Sequence, residues 1–132
     1  MEFFRLIKTP ISEKGIQEFT DFNNLEAISN ELFVIGDQNQ TEAEIGGLWG
    51  EFTLIRNEIR GGVRFALKEC PNALAWTITT GFSPDPEAIV IHLTINRQEK
   101  EASFLEEVEE FLDDHCKCIE KFLAPQLALE QN

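Results

Sequence analysis

Tyrosine is absent, methionine occurs once, cysteine three times, and only 11 of the 132 residues are Lys or Arg. Each shortage excludes something. Without tyrosine the chain lacks one common general acid and a residue favoured at interfaces. Cys70, Cys116 and Cys118 are an odd number of thiols in a chain long enough to fold without staples. Reduced cysteines in a cytoplasm are the plain reading. Against 24 acidic residues the few basic ones leave a net charge of −13, so the Lys/Arg surplus that neutralises nucleic-acid phosphates is missing. No window approaches the ~18 consecutive apolar residues of a membrane span. Met1 to Lys8 carries no basic leader followed by a long apolar run, so a secretory signal is not expected. Repeats, low-complexity tracts and long linkers are also absent, and one domain over 1–132 is expected, with 126–132 as a frayed tail.

What is present is core material: 42% hydrophobic residues, with eleven Phe. A chain this long buries roughly two-thirds of its extended surface. Phe3 to Lys8 reads as a strand ended at Thr9-Pro10. Ile16, Phe19 and Phe22, at three-residue steps, predict a short helix from Ser12 to about Phe22. Strands are expected at about 31–35, 49–59, 63–70, 74–81 and 88–96, with a flexible polar loop over 37–47. Val63, Phe65 and Leu67 alternate with polar or small residues, and Ile89, Ile91, Leu93 and Ile95 do so most clearly. A three-residue turn at Arg60-Gly61-Gly62 would pair Ile59 with Val63 and set Glu58 opposite Arg64. Residues 61–70 also fit helical spacing less well. Cys70-Pro71-Asn72-Ala73 has the chemistry of a tight turn.

The C-terminal third predicts one long amphipathic helix, about 100–123, ended by Pro125, with Phe104, Val108, Phe111, Leu112, His115, Ile119 and Leu123 on its apolar stripe. Ser103 and Glu106 fit a capping box at its start. The expected fold class is α+β: two layers, an antiparallel meander of four to six strands, a short N-terminal helix, and the long helix over the Ile89/Ile91/Leu93/Ile95 face.

Three constellations could carry chemistry. Between Glu99 and Asp114 there are eight acids and one lysine. Glu106, Glu107, Glu109, Glu110, Asp113 and Asp114 form an acidic side of the helix that could dock a basic protein, or simply keep the helix solvated. Arg56, Arg64, Lys68 and His92, on the expected open sheet face, could clamp an anionic ligand beside Thr77, Thr79 and Thr94. Asp113-Asp114-His115-Cys116-Lys117-Cys118 has metal-capable side chains, but helical geometry points Cys116 and Cys118 apart and no second His/Cys pair completes four ligands. A core histidine is the better reading of His115, and no metal or cofactor is expected. Ser83 lacks a nucleophile-elbow pattern, no glycine loop cradles phosphate, and Cys70 has no assigned partner in His92, so enzyme chemistry is not favoured.

The expected function is therefore a small acidic cytoplasmic protein-binding module of immunity or inhibitor type, which neutralises a basic protein partner without nucleic acid or membrane. Small size, acidity and a C-terminal amphipathic helix are similar in general character to secretion-type chaperones, an alternative that homodimerisation would favour. A ligand-binding or catalytic domain using the open sheet face is the alternative from a different class.

Overall fold

The computed structural model describes residues 1–82, 85–96 and 101–130, with side chains to 124. The elements are β1 (Glu2–Ile7), α1 (Glu13–Phe19), a 3-10 turn (Phe22–Asn24), α2 (Leu25–Ile28), β2 (Leu32–Gln38), β3 (Glu42–Gly47), β4 (Gly50–Ile59), β5 (Gly62–Leu67), β6 (Ala75–Thr80), β7 (Ile89–Thr94) and α3 (Ala102–Glu130). All seven strands form one antiparallel sheet in the order β1-β7-β6-β5-β4-β3-β2. It is a meander from β2 to β7, with β1 laid against β7. The α+β class with a long C-terminal helix is thus found, but with seven strands instead of four to six.

The additional strand is β3, in the segment expected to be a loop. Ala43 and Ile45 are buried and alternate with Glu42 and Glu44, a pattern of only two apolar positions. The connection is an Asx turn: Asn39 Oδ1 accepts from the backbone N–H groups of Thr41 and Glu42, both at 2.9 Å.

Alternation sorts the sheet into two faces. Ile7, Ile89, Ile91, Leu93, Trp76, Ile78, Val63, Phe65, Leu54, Ala43, Ile45 and Leu32 share one core with Ile16, Phe19, Phe22, Leu25 and Ile28, and with Val108, Phe111, Leu112, Ile119 and Leu123 of α3. This inner face carries the helices: α3 packs on β1 and α2, and α1 on β5 and β6. Ser12 caps α1, accepting from the Gly15 N–H at 3.0 Å, as expected for a helix starting there.

Two local expectations fail. The β4–β5 loop has two residues, Arg60-Gly61, with Gly61 at φ +89°, so Ile59 pairs with Gly62 and Arg56 with Phe65. That single-residue slip turns Arg56 and Glu58 from the outer face to the inner one. Secondly, α3 begins at Ala102, where the Glu101 carbonyl accepts from Phe104 and Leu105 N–H, and runs through Pro125 to Glu130. Proline removes the bond to the carbonyl of Lys121 and strains that turn, which a 29-residue helix survives. Ser103 therefore lies inside the first turn. The expected start near 100 and residues 131–132 of the tail lie outside the described residues.

Candidate functional site

The acidic side of α3 follows from helical spacing: Val108, Phe111, Leu112 and His115 are buried inward, which turns Glu106, Glu109, Glu110 and Asp113 to solvent. Its six carboxylates fall into two groups. Arg5 of β1 reaches up to donate from Nε to Asp113 Oδ1 at 2.9 Å and stands 3.8 Å from Glu109. Asp114 turns toward the α2–β2 junction, accepting from Asn30 N at 2.9 Å and from Asn30 Nδ2 at 2.8 Å. Glu106, Glu107 and Glu110 make no hydrogen bond or ion pair among the described residues. Glu99 of the acidic run lies outside the described residues.

The four residues of the alternative ligand set are not brought together. Arg56 is only 7% exposed, under α1. Its guanidinium donates to the Thr20 carbonyl at 3.0 Å and the Gln17 carbonyl at 2.6 Å, with Glu58 at 3.7 Å. It supplies the cation that the last turn of α1 lacks, a favourable place for positive charge. Arg64 and His92 stay on the outer face in one cross-strand row, Phe4–His92–Thr77–Arg64–Asn57. His92 faces Glu2 Oε1 at 3.0 Å, and its ring stacks on Phe4 at 4.3 Å between centroids. Lys68 is exposed just beyond β5. A groove of about 830 Å³ between α1 and β4 is lined by Arg56 with Glu13, Lys14, Gln17, Asp21 and Glu58, but by none of the other three.

Sequence reasoning did not find the character of the outer face as a whole. Phe4 and Leu6 on β1 are 48% and 38% exposed, and Phe33 and Ile35 on β2 are each 46% exposed. These are the two edge strands of the sheet. Phe33 lies over Gly46, where a Cβ would strike its ring, and Phe82 covers Gly61 in the same way. The signal was available in Phe33 and Ile35, which alternate with Leu32 and Val34, but both sides of β2 are apolar.

The third constellation is internal. His115 is fully buried, and its Nδ1–H donates to the carbonyl of Ile28, the last residue of α2. It is the core histidine expected. The ring stacks on Phe111 and meets Trp76 edge-on at 6.1 Å. Nε2 has no partner among the described residues, and desolvation pushes the imidazole pKa down to about 4, against the opposing pull of the Ile28 carbonyl and Asp114. The Cys116 thiol beside it is pushed up to about 12 by burial, which makes it a poor nucleophile. Cys118 is raised by the same cause and by the Asp114 carboxylate. Among the described residues no group of three or more His, Cys, Asp or Glu side chains could hold a metal ion, and no helix is long and apolar enough to cross a membrane.

What the surface offers is therefore an acidic helix side and, on the opposite side, a sheet face whose edge strands expose Phe4, Leu6, Phe33 and Ile35 around a polar centre that holds the His92–Glu2 pair. No protein-family model and no curated protein matches the sequence.

Proposed function

We propose that this chain is a small acidic protein-binding module of immunity or inhibitor type that docks a basic protein through α3. The observation that carries this reading is the free acidic set Glu106, Glu107 and Glu110 on a long helix whose other side is fixed in the core. Glu109 and Asp113 extend that surface but share the cation Arg5. Asp114 is spent on Asn30 and belongs to the scaffold. Like charges held on one rigid side give up a few tenths of a kcal/mol per helical pair and set up a field that speeds encounter with a positive surface. The site sits in a cytoplasmic setting in this reading, with three free thiols.

The test is capture from a native lysate at low and at high salt. A basic protein retained at low salt and released as salt screens the contact supports the reading. Retention of nothing, or retention indifferent to salt, overturns it. A second reading, an anion-binding domain, is favoured by the row that places Thr77 between Arg64 and His92. Ligand-dependent thermal stabilisation that disappears in Arg64→Ala would support it.

A further inference from the structure

Opposite α3 lies the outer face of the sheet, where four large exposed apolar side chains stand on the two edge strands. Its charges are arranged differently from those of the helix side. Arg64 on the central strand β5, and Lys68 one residue past it, flank a cross-strand row that runs Glu2–Thr94–Ala75–Ala66–Ile55–Glu42. Arg64 is exposed and makes no hydrogen bond or ion pair among the described residues. Positive charge is thus central on this face, with acids to either side of it, in a molecule whose net charge is −13. We infer that the outer face is the interface of a symmetric homodimer, with two sheets stacked face to face, strands crossing near a right angle, and Arg64 of each copy meeting Glu42 of the other.

The sheet lattice argues for that crossing. Strands lie about 4.8 Å apart, and same-face residues along a strand about 7 Å apart. Arg64 stands one such step from the Glu2–Glu42 row, and Glu42 stands two strands, about 10 Å, from β5. A right-angle crossing turns steps along one sheet into steps across the other, which brings the two within side-chain reach, twice by symmetry. Leu6 and Phe33 occupy diagonally opposite corners, each about 14 Å from the centre in both directions, so the same rotation lays one on the other. Stacking with strands aligned along β5 would instead put Arg64 on Arg64. Orthogonal packing is one of the two ways sheets stack. The lattice spans about 800 Å² per copy, with Ala75, Thr79 and Val90 already buried within the chain, which leaves a face somewhat below the size of a standard stable interface. Docking through the helix sides would instead set two acidic surfaces together.

Sedimentation velocity at protein concentrations up to about 100 μM tests the inference. The wild-type chain, 15.1 kDa as a monomer, should sediment as a dimer. Arg64→Glu should halve the mass, as should Glu42→Arg, and the double swap Arg64→Glu with Glu42→Arg should restore the dimer. Far-UV circular dichroism guards against misfolding, which is not expected at exposed Arg64 or half-buried Glu42, since neither side chain has a partner among the described residues. Reversing Glu106, Glu107 and Glu110 to Lys should leave the mass unchanged, which separates this interface from the proposed α3 docking surface. A monomeric wild type, or a dimer that Arg64→Glu does not alter or the double swap does not restore, overturns the inference.

Discussion

Replacing Arg56 by Met tests the register of the β4–β5 hairpin and the anchoring of α1 together. The guanidinium donates to the Thr20 and Gln17 carbonyls at 3.0 and 2.6 Å from a site 7% exposed. Hydrogen bonds from a charged donor contribute about 1.5–3 kcal/mol each. Part of that is recovered because methionine packs its stem in the same groove and the Gln17 carbonyl is only partly buried. The expected loss for Arg56→Met is therefore about 2–4 kcal/mol. Arg56→Lys keeps the charge near the end of α1 but one ammonium cannot reproduce the fork, so it should fall between the two. Urea unfolding followed by the fluorescence of Trp76, which is 1% exposed in the core, measures both. An outer-face arginine would change stability by less than about 0.5 kcal/mol on substitution. That result for Arg56→Met, or equal effects of Met and Lys, refutes the reasoning.

Other perturbations have equally definite outcomes. His115 has a folded pKa of about 4 against 6.5 in an ordinary environment, so the unfolded chain binds the extra proton between those values. Stability from this group is present above pH 6.5 and is lost as the pH falls toward 4, about 2 kcal/mol between pH 7 and 5; urea midpoints over that range that do not decline in wild type, or decline as steeply in His115→Gln, contradict it. Asp114→Ala removes both bonds to Asn30 and should cost about 1–2 kcal/mol, whereas Glu106→Ala should stay within about 0.5 kcal/mol, read as urea-midpoint shifts. Gly62→Ala drives a Cβ into the backbone of Ile78 and should destabilise by more than about 2 kcal/mol in the same assay. Cys116, buried and with its thiol raised to about 12, should resist a thiol reagent at neutral pH until the protein unfolds, as mass spectrometry of labelled peptides can show.

Which features were legible in the sequence follows from how local their causes are. The stripe of α3, with His115 on it, and the alternation of β7 depend on near neighbours in the chain, and both were readable. β3 was not, because Glu42-Ala43-Glu44-Ile45-Gly46-Gly47 offers two apolar residues and becomes a strand through its pairing with β2 and β4. α2 is a four-residue helix held by Leu25 and Ile28 in the core, too short for periodicity to announce. Arg56 misled for a different reason. Its partners are carbonyls of α1, distant in sequence, and β4 carries apolar residues on both faces: Leu54 inward, Ile55 and Ile59 outward. Hydrophobicity alone left two registers open, and Gly61 at φ +89° selected the shorter loop. Pro125 reads as a stop, yet a proline costs a helix one bond and one turn of strain, not its continuation. Of the acidic residues, composition could show their number but not that Arg5 and Asn30 engage three of them.

Charge reversal on α3 measures the central claim most directly. Wild-type protein and the triple variant Glu106→Lys, Glu107→Lys and Glu110→Lys are immobilised and exposed to the same native lysate at low salt. The account predicts that a basic protein bound by wild type is lost from the variant while the variant keeps its urea midpoint, because none of the three side chains has a partner among the described residues. Undiminished binding by the variant would contradict it.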